Sequence, residues 1–218
     1  MKQYKAILFD MDGTVLDTLP DLTAALNHVF TSHGMATKTE AQVRTNLGYG
    51  YSGLIDRTAP DVTPAERAAL LADFTAYYST HCQIKTQPYS SIPDVLRQLK
   101  DAGYKTAIVS NKGQDAVNEL HAQYFQDLVY FSLGETPQRH KKPAPDMPMA
   151  ALERLGCTPD EAIYIGDSEV DYQTAVNAHL DSVLVTWGFR DADYLETLHS
   201  TYLVHTRDEL KDIFLPRK

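Results

Sequence analysis

The chain has 218 residues with 29 acidic and 20 basic side chains, and its formal net charge of -9 makes nucleic acid and anionic membranes unfavourable partners. A small anionic substrate stays compatible, because a few cations in a cleft outweigh distant surface charge under physiological screening. No apolar run approaches the roughly 18 residues of a membrane span, and the first residues do not resemble a secretory signal. The two cysteines show no zinc or redox spacing. These features favour a cytoplasmic protein.

The first predicted element is a buried strand at residues 6–9, and two carboxylates, Asp10 and Asp12, follow where that strand must end. Two carboxylates about 4 Å apart repel by roughly 4 kcal/mol at an effective dielectric near 20. A protein that keeps both ionised needs a cation between them, and Mg²⁺ prefers such oxygen ligands. An exposed turn explains the same residues equally well, so this stretch alone leaves both interpretations open.

Helix and strand patterns follow along the rest of the chain. A helix begins near Pro20 and ends at Gly34, short helices surround the glycines of residues 47–55, and a capping box at Thr63 and Glu66 begins a longer helix. After residue 88 the pattern predicts helices at 91–103, 114–124, 146–155 and 170–178, and strands at 105–110, 128–131, 162–165, 182–185 and 202–204. This alternation predicts an α/β fold, a doubly wound and mostly parallel sheet with helices on both faces.

The segment between the first two predicted strands of this sheet is far longer than one crossover helix requires. We interpret residues 18–83 as an inserted helical cap, and residues 1–17 and 84–218 as a Rossmann-like catalytic core. Open parallel sheets bind ligands at the carboxyl ends of their strands, and the insertion leaves the sheet at that end. The alternative is that these helices pack on the sheet as ordinary layers.

Polar groups suited to phosphate or a metal follow several predicted strands. They are Asp10 and Asp12 after the first strand, Ser110, Asn111 and Lys112 after the second, Lys142 beyond the third, and Asp167 and Asp171 after the fourth. Since the carboxyl ends of parallel strands share one edge of the sheet, these side chains should converge. Each motif alone is also explained as a turn, a helix cap or a solvated loop lysine, but four such coincidences at one edge are improbable.

The converging groups fit the hydrolysis of a phosphate ester. A carboxylate such as Asp10 can attack phosphorus and form an aspartyl phosphate, and Mg²⁺ between Asp10 and Asp167 would offset the charge repulsion. Lys142 supplies a further positive charge to a phosphate oxygen, while Ser110 and loop N–H groups hydrogen-bond the remaining ones. Asp12 can give a proton to the leaving oxygen and later take one from water.

These residues resemble the haloacid dehalogenase-like superfamily, through residues 10–14, 110–112, 142–143 and 166–171. The resemblance implies a Rossmann-like core with a small helical cap, Asp10 as the nucleophile and Asp12 as the acid and base. It also implies Mg²⁺ held by Asp10, the carbonyl oxygen of Asp12 and Asp167. Asp171 would steady the metal shell or orient Lys142.

Within that superfamily the chain is similar to the phosphoglycolate phosphatase group, through residues 17–18, 142–146 and 185–190. This similarity implies a phosphatase for a small phosphorylated metabolite. Dehalogenases and phosphonate-cleaving relatives lack the second aspartate, so Asp12 argues against those branches. A phosphosugar mutase of the β-phosphoglucomutase type keeps both acids and stays open, as does a non-catalytic phosphometabolite-binding protein on the same fold.

Further candidates for substrate binding are Gly13, Asn111, Arg44 and Tyr49. Gly13 lets the backbone approach a phosphate closely, and Arg44 and Tyr49 belong to a loop of the predicted cap that could read the rest of the substrate. Packing between cap and core explains the tyrosines of that loop equally well. The helix that follows Asp171 ends at His179, where relatives usually have glycine, so a left-handed residue there would be strained.

Overall fold

The structure, a computed structural model, describes residues 3–215. The strands are β1 (Ala6–Phe9), β2 (Leu16–Asp17), β3 (Gln87–Pro88), β4 (Lys105–Gly113), β5 (Phe131–Glu135), β6 (Ala162–Gly166), β7 (Asp181–Val185) and β8 (Tyr202–Val204). The helices are α1 (Leu19–Ser32), α2 (Glu40–Arg44), α3 (Gly50–Thr58), α4 (Pro64–His81), α5 (Ile92–Asp101), α6 (Gln114–Tyr124), α7 (Asp146–Leu155), α8 (Glu169–Asn177), α9 (Ala192–Glu196) and α10 (Arg207–Phe214). A 3₁₀ turn at Pro159–Glu161 precedes β6.

Six strands form one sheet in the order β5-β4-β1-β6-β7-β8, and neighbouring strands are parallel. The central strand β1 is buried along its whole length. Its alternate side chains enter two hydrophobic clusters: Ile7 and Phe9 join one, and Ala6 and Leu8 join the other. A strand covered on both faces has a continuous apolar sequence, and this explains why residues 6–9 show no polar alternation. The predicted Rossmann-like α/β sheet is confirmed.

The helices α1 to α4 lie between the short strands β2 and β3, which pair with each other antiparallel. The chain thus leaves and re-enters the sheet region at one place. Asp21 fastens this place, because its buried carboxylate accepts hydrogen bonds from the backbone N–H groups of Lys85 and Thr86 at 2.9–3.0 Å. The division into a cap of residues 18–83 and a core stays a prediction; the structure shows a helical insert, α1–α4, at the expected position.

Most predicted elements agree with the structure to within about two residues, and α6 and α7 agree at both ends. The strand predicted at 128–131 is wrong. The N–H groups of Leu128 and Val129 instead donate to the carbonyl of Phe125 and close a turn after α6, and the strand β5 begins only at Phe131. The apolar side chains of Leu128 and Val129 still enter the core, so burial rather than strand pairing explains their character.

The second strand of the sheet is longer than predicted, because β4 continues past Ser110 to Gly113. Its pairing with β5 shifts register between Val109 and Gly113. Such an irregularity redirects side chains at the end of a strand. His179 has the predicted left-handed backbone, with φ of 57°. Among residues 3–215, no helix is both long enough and apolar enough to cross a membrane.

Candidate active site

Three buried carboxylates meet at the carboxyl ends of β1 and β6. Asp10 follows β1, Asp167 follows β6, and Asp171 lies in the first turn of α8. One oxygen from each carboxylate lies within 4.8 Å of the others. Burial, reinforced by the neighbouring Asp171 carboxylate, raises the pKa of Asp10 well above its usual range. The same two causes raise the pKa of Asp167 to about 7. Burial and mutual repulsion thus both oppose ionisation of these carboxyl groups.

Lys142 enters the same cluster from the loop before α7. Its Nζ lies 2.5 Å from Oδ1 of Asp10 and 2.8 Å from Oδ1 of Asp171, and the side chain is buried. Burial acts to lower the pKa of Lys142, but the two carboxylates outweigh it and hold the pKa well above its usual value. The lysine is therefore charged, and its ammonium lies where it can reach a group attached to Asp10.

The charges of this cluster fit a divalent cation. If all three carboxylates are ionised, the Lys142 ammonium leaves two of their negative charges without compensation, and buried charges must be paired or bind a metal. The donor set consists of carboxylate oxygens, which hard cations such as Mg²⁺ prefer. Asp10 and Asp167 would hold the ion. Asp171 already accepts hydrogen bonds from Lys142, the Ser168 hydroxyl and the N–H of Asp167, so it supports the cluster from the side.

Two glycines let the backbone close around Asp167. Gly13 has φ of 84°, and a Cβ atom there would lie 2.4 Å from Oδ2 of Asp167. A Cβ at Gly188 would lie 2.4 Å from the same oxygen and 2.5 Å from the carbonyl oxygen of Gly13. No side chain fits at either position, and Oδ2 of Asp167 accepts the N–H of Phe189 at 2.6 Å. The loops after β1 and β7 thus fix Asp167 at the centre of the site.

Asp12 lies apart from the three-carboxylate cluster. Its Oδ1 accepts a hydrogen bond from the Thr18 hydroxyl at 2.6 Å and lies 3.1 Å from Nζ of Lys112. Its Oδ2 has only a long contact, 3.5 Å, with the Ser110 hydroxyl. The Asp12 side chain is 21% exposed, whereas that of Asp10 is 9% exposed. The two acids therefore occupy different environments, one beside the buried cluster and one facing the chamber.

Helix α3 and the loop before it close a narrow chamber over these acids. The insert contributes Leu22, Leu47, Gly48, Gly50, Tyr51 and Leu54 to its lining, and the sheet edge contributes Asp10, Asp12, Asn111, Lys112, Lys142, Ser168 and Asp171. The cavity volume of the chamber is about 30 Å³, against about 330 Å³ for a neighbouring pocket that Tyr51 also lines. The insert side of the chamber is apolar apart from the Tyr51 hydroxyl and the backbone. The two cations among the described lining residues, Lys112 and Lys142, both come from the sheet edge.

Two of the remaining predicted site residues, Asn111 and Ser110, lie on β4 and make hydrogen bonds within the site. Asn111 donates from Nδ2 to the carbonyls of Gly48 and Lys142, both at 3.0 Å, and its Oδ1 accepts the N–H of Lys142 at 2.6 Å. It thereby joins β4, the lysine loop and the insert. The Ser110 hydroxyl accepts the N–H of Lys112 at 3.1 Å. Both side chains lie beside the acids, as the sequence predicted.

Arg44 and Tyr49 do not line the chamber. Arg44 pairs with Asp191 at 2.9 Å, and the Tyr49 hydroxyl donates to Glu169 at 2.8 Å. Arg190, which had no predicted role, donates hydrogen bonds from Nε and Nη2 to the Glu169 carboxylate. Its Nη2 also donates to the carbonyl of Leu47 at 2.8 Å. These contacts hold the insert against the sheet edge, so substrate binding by Arg44 and Tyr49 finds no support in this arrangement.

Two chamber residues, Lys112 and Tyr51, were predicted only as members of larger groups: Lys112 among the polar residues after the second strand, and Tyr51 in the cap loop whose tyrosines could bind substrate or pack against the core. Lys112 is buried despite its charge, and the only signal in the sequence was its place after Ser110 and Asn111. The Tyr51 ring packs edge-on against Phe74 and Tyr78 of α4. Its position between the chamber and the neighbouring pocket follows from the packing of α3 on α4.

Comparison with known proteins agrees with this geometry. The profile of the haloacid dehalogenase-like hydrolase family matches residues 7–185. A phosphoglycolate phosphatase of Cereibacter sphaeroides is 32% identical over 95% of this chain and 96% of its own length. One from Aquifex aeolicus is 30% identical over 85% and 86%. The crystal structure of a Lactobacillus delbrueckii subsp. bulgaricus protein, provisionally assigned as a phosphoglycolate phosphatase, superposes with a TM-score of 0.94 at 36% identity, covering 99% of this chain and 100% of that one.

The chain belongs to the haloacid dehalogenase-like hydrolase family. Within that class it is a phosphoric monoester hydrolase that resembles the phosphoglycolate phosphatases.

Proposed function

We propose that the protein is a Mg²⁺-dependent phosphatase that hydrolyses a small, phosphoglycolate-like ester through an aspartyl phosphate on Asp10. The observation that carries this proposal is the buried cluster of Asp10, Asp167 and Asp171, whose charge Lys142 balances only in part. A bound Mg²⁺ would supply the two missing positive charges and polarise the phosphate. The helical insert α1–α4 serves as the cap over this cluster, and a cytoplasmic location stays a prediction from the sequence.

The first step is the attack of a carboxylate oxygen of Asp10 on phosphorus. The phosphorus–oxygen bond to the leaving alcohol breaks as the bond to Asp10 forms. Lys142, which contacts Asp10 directly, neutralises charge on a phosphate oxygen. Asp12, on the chamber side, gives its proton to the leaving oxygen. In the second step the Asp12 carboxylate takes a proton from a water molecule as the water oxygen attacks phosphorus. The bond between phosphorus and Asp10 breaks, which frees the Asp10 carboxylate and releases inorganic phosphate.

The lining of the chamber favours hydrolysis over mutase chemistry. A phosphosugar mutase must hold the second phosphate of a bisphosphate intermediate, and the insert contributes no cation to the described lining. The relatives named above as phosphoglycolate phosphatases support a two-carbon ester as the first substrate to test.

The test is phosphate release by the purified protein with Mg²⁺ and a panel of phosphate esters that includes phosphoglycolate, glycerol phosphate and 4-nitrophenyl phosphate. Asp10→Asn should lower kcat on the order of 10⁴-fold or more, because it removes the nucleophile, and EDTA should abolish turnover. Asp94→Asn, an exposed change on α5, is the matched control and should retain full activity. Full activity of Asp10→Asn, or in excess EDTA, would refute the mechanism. A product that keeps its phosphate ester would identify a mutase, and tight binding of an ester without turnover would identify a binding protein.

A further inference from the structure

Lys112 is a buried lysine to which the proposed reaction assigns no role. It lies near the end of β4, and its side chain is 0% exposed. Removing an ammonium group from water costs several kcal/mol unless close partners compensate. A side chain that only filled space at this position would be apolar, so the charge itself requires an explanation.

The partners of this ammonium come from both sides of the chamber. Nζ of Lys112 lies 3.1 Å from Oδ1 of Asp12 and donates to the Tyr78 hydroxyl of α4 at 2.8 Å. The rings of Tyr78 and Tyr51 lie 4.4 Å and 5.7 Å from it, at distances where aromatic faces stabilise a cation. The lysine therefore connects the acid of the sheet edge with the long helix of the insert.

The contacts of Asp12 differ between its two oxygens. Oδ1 receives both strong donors, the Thr18 hydroxyl at 2.6 Å and the Lys112 ammonium. Oδ2 has only the 3.5 Å contact with Ser110. An oxygen that already accepts two hydrogen bonds, one of them from a cation, has little room for a further donor. Oδ2 is thus the oxygen left to carry the transferred proton.

We propose that Lys112 is a positioning residue for proton transfer. Together with Thr18 it fixes Oδ1 of Asp12, so that Oδ2 is turned toward the oxygen of the leaving alcohol, and its bond to Tyr78 ties this orientation to helix α4. This role rests on the proposed function, since it concerns the step in which Asp12 gives up its proton.

Comparison of leaving groups separates this role from a structural one. An alkoxide is strongly basic and needs a proton as it departs, whereas 4-nitrophenolate is a stable anion and needs little help. The value of kcat/KM reports on the first phosphoryl transfer, before water attacks. A misoriented Asp12 should therefore lower kcat/KM for glycerol phosphate far more than for 4-nitrophenyl phosphate, whereas general loosening of the site should lower both equally.

The variants are Lys112→Met, which keeps the length of the side chain without its charge, and Tyr78→Phe, which removes only the hydroxyl. Lys112→Met should lower kcat/KM about 100-fold for glycerol phosphate, the scale of a displaced catalytic group, and less than about fivefold for 4-nitrophenyl phosphate. Tyr78→Phe should act in the same direction, by up to about tenfold. Lys105→Met is the matched control at the other end of β4, where Nζ binds the carbonyl of Leu155, and both substrates should react within about twofold of the unaltered rate.

Equal losses for the two esters in Lys112→Met would overturn the proposal. If Lys112→Met does not fold, as judged by circular dichroism, Tyr78→Phe decides by the same comparison. A loss seen with phosphoglycolate but not with glycerol phosphate would identify Lys112 as a binder of the substrate carboxylate and would equally overturn it. If the unaltered protein hydrolyses none of the esters, the proposed function has failed and the role of Lys112 falls with it.

Discussion

Mg²⁺ should stabilise the protein against thermal unfolding, and the effect should be large above pH 7 and small at pH 5. The reason lies in the carboxyl groups of Asp10 and Asp167, whose pKa values are raised in the folded state by burial and by Asp171. For Asp167 the pKa rises from 3.8 to about 7. Between these values the folded state binds more protons than the unfolded state, so without metal the free energy of unfolding falls as the pH rises from about 4 to about 7.

The size of the metal effect follows from the same numbers. An ion that binds only the folded state at 100 times its Kd adds about 2.7 kcal/mol, which for a chain of this length corresponds to a rise in Tm of about 5–10 °C. At pH 5 Asp167 lies about two units below its pKa of about 7. The ion must then displace a proton, its affinity falls roughly 100-fold, and the gain shrinks to about 0.4 kcal/mol, or about 1 °C.

The assay is thermal unfolding followed by circular dichroism at pH 5 and pH 8, in EDTA or in MgCl₂. Asp167→Asn should lose the Mg²⁺-dependent rise in Tm, and in EDTA at pH 8 it should unfold at a higher temperature than the unaltered protein, because one buried negative charge is gone. Asp94→Asn should behave like the unaltered protein. Equal Mg²⁺ effects at pH 5 and pH 8, or a full effect in Asp167→Asn, would refute the assignment of the ion to this cluster.

Two further predictions concern the insert. Asp21→Asn should lower the free energy of unfolding by about 1–3 kcal/mol. An amide cannot replace both carboxylate oxygens that accept the N–H groups of Lys85 and Thr86. An unchanged midpoint of unfolding in urea would contradict this prediction. Tyr51→Val should join the narrow chamber to the neighbouring pocket, because Tyr51 lines both. The variant should therefore raise kcat/KM for bulky esters relative to phosphoglycolate by about tenfold or more. An unchanged order of substrates in the panel would show that Tyr51 does not set the size limit.

The sequence predicted the fold well where periodicity and terminal residues agreed. Helix α7, for example, has an apolar face and ends before Gly156, which adopts a left-handed backbone with φ of 64°. Prediction failed at residues 128–131, where a run of β-favouring side chains closes a turn. Whether such a run pairs with a neighbouring strand depends on tertiary contacts. The segment that does pair, Phe131–Glu135, contains Ser132 and Gly134, and neither favours a strand.

Some features of the candidate site could likewise be predicted from the sequence, and others could not. The convergence of Asp10, Asp167 and Lys142 could be predicted, because the topology of a parallel sheet brings its strand ends together. The contacts of Arg44 and Tyr49 could not, since their partners lie 147 and 120 residues away along the chain. A long polar side chain finds its partner only once both surfaces have folded, and single residue types carry no information about that pairing.

In the proposed reaction, the two acids that follow β1 differ in chemistry because each pairs with a different lysine. Lys142 pairs with Asp10 inside the buried cluster, where a carboxylate must be ionised to attack phosphorus. Lys112 pairs with Asp12 on the chamber side, where one oxygen must stay available for a proton. The alternation of side chains along β4 makes this division possible. Ser110 and Lys112, two residues apart, both reach Asp12, while Asn111 between them holds the backbone of Lys142. One strand thus positions both cations, and a change that moved its end should impair nucleophilic attack and proton transfer together.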